Sequence, residues 1–173
     1  MALARFTLLY LEWIAEIDTV TMILLSERIA TLKLSAPLCV PSGTSVREVI
    51  ERVQRERAGC ILICTKGRPI GIMTERDVLM KVVARDVNSD EAVDKFMTPD
   101  PRTLTPDKTV GEAISMMYQE DFRHVPIIDA KSGEATAIFN IQDAISFLCE
   151  SFPEHVINLP PRPHQTMKTP EGG

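Results

Sequence analysis

Behind Ser45 the apolar positions Val46, Val49, Ile50 and Val53 fall at helical spacing, and at Cys60-Ile-Leu-Ile-Cys64 the pattern changes to a short continuous apolar run. The first stretch reads as a helix from Ser45 to about Arg57, the second as a strand. A Lys66-Gly67 turn and the run Pro69-Ile-Gly-Ile-Met73 complete a hairpin, and a further helix is expected from about Glu75 to Ala84. Ahead of the first helix, Leu38–Val40 reads as a short extended segment ended by the turn Pro41-Ser-Gly43. The order is β-α-β-β-α.

The whole pattern then recurs. Residues 45–64 align with 109–128 without a gap, so that Val46, Val49, Ile50, Val53, Ile61 and Ile63 answer to Val110, Ala113, Ile114, Met117, Val125 and Ile127, each 64 positions later. Ser45-x-x-Glu48 and Thr109-x-x-Glu112 are matching capping-box signatures and start two equivalent helices. The second copy continues with a strand at His124–Ile128, a turn at Lys131-Ser-Gly133, a strand ending near Phe139 and a helix over about Ile141 to Cys149, after an extended start at Arg102–Leu104. Its hairpin turn is two residues longer, which a loop absorbs cheaply. We expect an N-terminal helical extension over 1–25, a first repeat over 26–86, a second over 87–150 and a Pro-rich tail over 151–173. Units of about 60 residues are marginal alone, so the two must pack on one another. The expected fold class is α/β (α+β), with two pseudo-twofold-related β-α-β-β-α repeats packed sheet to sheet and the helix starts Thr74 and Asn140 around a shared cleft.

The chain ends add less. Leu8, Leu11, Ile14 and Ala15 sit at helical spacing, while Arg5, Glu12, Glu16 and Asp18 break the apolar run before it reaches the length of a membrane span. Met22 offers a second start point, so whether residues 1–21 belong to the natural product stays open in the sequence. Pro153, Pro160, Pro161, Pro163 and Pro170 point to an extended or disordered tail. A net charge of −5 and a pI near 5.3 argue against a nucleic-acid partner, which needs a clustered basic face. Cys39, Cys60, Cys64 and Cys149 lack metal-ligand spacing and read as buried hydrophobes in a reducing, cytoplasmic setting. His124, His155 and His164 are too scattered for a metal site.

The chemistry lies where each hairpin meets its second helix. Gly71-Ile-Met-Thr74-Glu-Arg-Asp77 corresponds to Ala137-Ile-Phe-Asn140-Ile-Gln-Asp143. Thr74-x-x-Asp77 and Asn140-x-x-Asp143 fit ordinary helix N-caps. The same groups suit a nucleotide, since a helix start offers N–H groups to a phosphate and an Asp can accept from both hydroxyls of a ribose. These stretches, with Phe96-Met-Thr-Pro99 leading into Thr103-Leu-Thr-Pro106 and with Phe122-Arg-His-Val-Pro-Ile-Ile-Asp129, make residues 26–150 resemble a tandem pair of cystathionine β-synthase (CBS) domains, a Bateman module.

That resemblance implies a regulatory module that binds an adenosine-containing ligand, such as AMP, ADP, ATP or S-adenosylmethionine, between the repeats. It implies that Asp77 and Asp143 hold ribose hydroxyls, with Thr74 and Asn140 near ribose or phosphate. Backbone around Cys39 and Thr103 would meet the adenine edge, and Arg123 and His124 would face phosphate. Arg76 is either a compensating cation at the first site or a solvated surface charge. Because Gly59 and Cys60 stand at the positions of Arg123 and His124, the principal site is expected at Asp143, with those two cations. A homodimer is implied as well, and an effector protein, since no separate output domain is visible.

No Ser–His–Asp set, Walker loop or activated cysteine emerges, so the expectation is a module that is not an enzyme and has no obligatory cofactor. The competing class is a ligand-free dimerisation or interaction module that binds a partner protein.

Overall fold

The computed structural model describes residues 22–23 and 26–151. The expected N-terminal helix at Leu8–Ala15 and the Pro-rich tail lie outside the described residues.

The first repeat runs β1 (Cys39–Pro41), α1 (Val46–Glu56), β2 (Cys60–Thr65), β3 (Arg68–Thr74) and a helical stretch α2, in which Glu75–Asp77 is α-helical, Val78–Val82 winds more widely as π-helix and Val83–Arg85 closes as 3₁₀. After a short strand β4 (Thr98–Pro99), the second repeat runs α3 (Val110–Glu120), β5 (His124–Ile128), β6 (Ala135–Asn140) and α4 (Ile141–Ser151). α1 and α3 start and stop at equivalent residues, as the capping signatures require. Thr109 makes the full capping box with Glu112, whereas at Ser45 only the hydroxyl half forms, accepting from the Glu48 N–H. Both helices end on a left-handed residue, Arg57 and Asp121.

β1 to β4 form one sheet in sequential order, with β1 parallel to β2 and the other pairs antiparallel. β5 and β6 form a two-stranded antiparallel sheet. The extended start expected at Arg102–Leu104 survives as a single parallel bridge, Leu104 to Ile127, where the first repeat has a full strand. Ser35 bridges Ile138 on the outer edge of β6, in the position that β4 takes beside β3.

This edge pairing reflects an exchange between the repeats. The segment before the first repeat packs into the second, where Ile29 joins Leu104, Val110, Val125, Ile127 and Phe139 in one core. The segment before the second repeat packs into the first, where Val93 joins Val40, Val46, Ile61, Ile63 and Met73. The backbone bonds match: Ile29 N–H donates to Lys108 O, and Val93 N–H to Thr44 O.

Between the sheets lies a third apolar layer. Cys60, Leu62, Cys64 and Ile72 of the first sheet meet Ile138 and Ala135 of the second, so the repeats do pack sheet to sheet. The alternation of strand side chains produces this: Ile61 and Ile63 face α1 while their neighbours face the other sheet. At one end the hairpins clasp each other, with Ala135 N–H donating to Gly67 O at 2.9 Å and Arg68 Nε to Ser132 O at 2.6 Å. All four cysteines are free. Cys60 and Cys64 are buried as expected, but Cys39 and Cys149 are only half-buried. Burial, with the neighbouring Cys39, pushes the Cys60 thiol up to about 12.

Candidate functional site

α2 opens on a complete capping box. Asp77 Oδ2 accepts from the Thr74 N–H at 2.9 Å and from the Thr74 hydroxyl at 2.7 Å, while the Asp77 N–H donates to Thr74 Oγ1 at 3.3 Å. The cap reading of Thr74-x-x-Asp77 is thus realised in full. It leaves Asp77 Oδ1, to which Lys81 Nζ donates from one turn along at 2.7 Å. Lys81 also donates to Thr98 Oγ1 at 3.0 Å and so ties α2 to β4. Burial pushes the Asp77 carboxyl up, but the hydrogen bonds from Lys81 and Thr74 outweigh it and hold the group below the usual carboxylate range.

Asp77 lines a cavity of about 1010 Å³. Thr74, Glu75, Arg76 and Lys81 line it from α2, and Thr98, Asp100, Pro101 and Arg102 from the passage into the second repeat. The far wall is Glu120, Asp121, Phe122, Arg123 and His124, where the left-handed turn at Asp121 swings the chain from α3 towards β5. Gly59 closes the back of the cavity. A methyl group there would lie 2.7 Å from His124 Nε2, so a larger residue would push the imidazole aside. Arg76 pairs with Asp121 and Arg102 with Glu120, each at 3.8 Å and well exposed, a geometry worth little energy.

The cations sit differently from the expectation. Arg123 and His124 belong to the second repeat, but they line the cavity that holds Asp77 of the first. The absence of cations at Gly59 and Cys60 therefore does not impoverish the Asp77 side, because the opposite repeat supplies them. Asp143 lies elsewhere, in a separate hollow of about 590 Å³ with Lys33, Phe147 and Glu150. Thr74 lines the first cavity, whereas Asn140 lines neither of the two. Asp143 Oδ2 accepts from the Asn140 N–H at 2.8 Å, and Asn140 Oδ1 caps Gln142 and Asp143 N–H. With Phe147 where the first repeat has Lys81, no cation answers this carboxylate from its own helix. Burial pushes Asp143 up, against the pull of the Asn140 N–H and of His124.

Of the other expected residues, Cys39 lies against the sheet interface. Thr103 is not among the cavity-lining residues, although its neighbour Arg102 is. Sequence reasoning missed Lys81, Thr98, Asp100 and Arg102. Lys81 carried a signal, its place four residues after Asp77 on a helix, which is ion-pair spacing. The His124 imidazole is held below its usual range chiefly by burial and secondarily by Arg123, against the pull of Glu75 and Asp143. Among the described residues no group of acidic, His or Cys side chains could hold a metal ion, and no helix is long and apolar enough to cross a membrane.

The family profile of the CBS domain matches residues 30–84 and again 93–150. The CBS domain-containing protein CBSCBSPB3 of Arabidopsis thaliana is 36% identical over 121 residues, 66% of this chain and 21% of that protein. The chain thus spans about a fifth of the length of that relative. A CBS domain protein from Pyrobaculum aerophilum, solved in complex with AMP, superimposes with a TM-score of 0.62 at 26% identity, over 67% of this chain and 88% of that one. A CBS domain pair solved with 5′-methylthioadenosine and S-adenosyl-L-methionine shares the fold, with a TM-score of 0.63 at 21% identity over 72% and 96% of the two chains. The profile falls twice, on the two halves that fold alike and close each other's cores, and this chain belongs to the CBS domain family as a tandem pair.

Proposed function

We propose that this domain pair is a non-catalytic regulatory module that senses an adenosine-containing ligand, with its principal site in the cavity of Asp77. One observation carries the reading: a carboxylate at a helix start in the first repeat faces Arg123 and His124 of the second across a space of about 1010 Å³. In this site Asp77 accepts from the ribose hydroxyls. Arg123, with its planar fork, and His124 take the phosphate, and Arg102 and Arg76 stand at the edge for a longer chain. Backbone of the lining stretch Asp100–Arg102, just ahead of the expected Thr103, meets the adenine. The AMP held by the Pyrobaculum relative supports the ligand class.

A ligand that touches both repeats changes their relative placement only through its differential affinity for two arrangements. We infer that the output passes to a separate effector protein in the cytoplasm. A homodimer is part of the proposal, supported by the exposed apolar side chains Leu79, Met80 and Val83 on α2 and Ile145 on α4. Leu79 and Ile145 are equivalent residues of the two repeats, so the face has the pseudo-symmetry of the fold.

The test is calorimetric titration of the protein, stripped of small molecules, with AMP, ADP, ATP and S-adenosylmethionine. Saturable binding that Asp77→Ala weakens more than Asp143→Ala supports the assignment. Equal losses would return the second hollow to consideration. Silence from all four would leave the exposed α2 face, and with it an interaction module, as the remaining reading.

A further inference from the structure

The two helix-start carboxylates are equivalent in sequence, yet only Asp77 has both its oxygens engaged by side chains of the protein, whereas among the described residues Asp143 accepts from the Asn140 N–H alone. Asp77 Oδ2 is taken by Thr74 through both its N–H and its hydroxyl, and Oδ1 by Lys81. The Lys81 side chain is two-thirds buried, and its ammonium bridges Asp77 to Thr98 at the cavity wall. A ribose that bonds Asp77 must compete for Oδ1 with that ammonium. If an uncharged nucleoside succeeds, Lys81 is left with a single neutral acceptor in a half-buried place, which is costly for a charge. A ligand with a 5′-phosphate brings its own anion into the cavity that Lys81 lines, and the long lysine side chain can turn to it.

Resting on the reading of this cavity as an adenosine-ligand site, we propose that Lys81 is a specificity-determining residue that makes the site select phosphorylated adenosine ligands over uncharged nucleosides. It does so by holding Asp77 until a phosphate offers the ammonium a second partner. Specificity here is a difference of affinities, created by the cost imposed on the wrong ligand as much as by contact with the right one. The other cations cannot impose that cost. Arg76 and Arg102 are exposed and pair loosely with Asp121, just past α3, and Glu120, its last residue, so releasing them is nearly free. Arg123 makes no ion pair among the described residues and does not touch the ribose carboxylate.

The experiment compares AMP and adenosine by calorimetry on wild type, Lys81→Met, Lys81→Gln and Lys81→Arg. In both neutral variants adenosine is expected to bind about tenfold tighter and AMP no tighter, so that the AMP-to-adenosine preference falls by about tenfold or more. Lys81→Arg keeps most of the preference. Lys81→Gln preserves length and a donor, and it carries the test if the methionine variant does not fold, which a thermal midpoint reveals. A preference unchanged in the neutral variants, or equal weakening of both ligands, overturns the role of Lys81 while the nucleotide site stands. Failure of wild type and all variants to bind either ligand overturns the site, and the role with it.

Discussion

Ile29 and Val93 are equivalent residues of the two repeats, and each fills the core of the other one. Ile29 is 1% exposed among the side chains of the second repeat, and Val93 is fully buried among those of the first. Neither repeat has a complete core without the segment that precedes its partner. The two should therefore unfold as one cooperative unit rather than as two small domains.

Ile29→Ala is expected to cost about 2–5 kcal/mol, and Val93→Ala about 2 kcal/mol, in equilibrium denaturation. Each variant should show a single transition by fluorescence and by far-ultraviolet circular dichroism. Two separated transitions, or a loss at Ile29 below about 0.5 kcal/mol, would contradict the exchange.

At Gly71 β3 comes close to Met97 of the passage between repeats. A Cβ there would collide with Met97 Sδ and lie 2.8 Å from its Cγ. Gly71→Ala should cost about 1–3 kcal/mol by overpacking. Combining it with Met97→Ala should recover part of that loss, as residues in contact are not additive. Strict additivity in the double variant would show that Met97 is not the obstacle. The equivalent position in the second repeat already carries Ala137.

The helices, hairpins and repeat were legible in the sequence because local periodicity and capping residues create them. α1 and α3 begin where Ser45 and Thr109 said they would, and β5 occupies the expected His124–Ile128. The exchange was not legible, since Ile29 and Val93 are isolated apolar residues in segments without periodicity, and only the tertiary fold tells which core they enter. The same holds for the site. Asp77 and Arg123 could each be singled out, but not that one cavity is lined by both, because the repeat groups Arg123 with Asp143. The pseudo-twofold instead brings the start of β5 to the opposite repeat's helix. Lys81 and Arg102 stayed hidden behind the ordinary expectation that a helix or loop cation is solvated.

Asp77 and Asp143 should respond oppositely to neutralisation in the unliganded protein. Asp77 is held below its ordinary range, so its contribution is present above the unfolded carboxylate value of about 3.9 and is lost as pH falls through the folded one. Asp77→Asn should lower stability at pH 7 by about 1 kcal/mol, and by much less at acid pH. Asp143 is pushed up, so its ionised form is disfavoured by folding and its contribution fades as pH rises through the folded value. Asp143→Asn keeps an acceptor for the Asn140 N–H and should leave stability at pH 7 unchanged or slightly raised. Thermal midpoints across the acid range separate the two, and equal losses at pH 7 would sink the distinction.

His124 should take up a proton when a phosphate binds. Burial, with Arg123 beside it, holds the imidazole neutral at pH 7, although Glu75 and Asp143 pull the other way. Its folded value lies below the unfolded one, so the stabilisation is complete above about 6.5 and is lost as pH falls towards the folded value. A phosphate placed between Arg123 and His124 reverses the balance by adding an anion that favours imidazolium. AMP titrations near about pH 6, in two buffers of different ionisation heat, should give apparent enthalpies that differ by the uptake of a fraction of a proton. The difference should vanish near about pH 8, and near about pH 6 it should change in His124→Asn by the proton that His124 takes up, leaving only the exchange of the AMP phosphate itself, whose second ionisation lies at about 6. Binding with the same proton exchange in wild type and His124→Asn at the lower pH would mean that the phosphate does not face His124, and the ligand would have to lie in the cavity the other way round, with its phosphate towards Arg76 and Arg102.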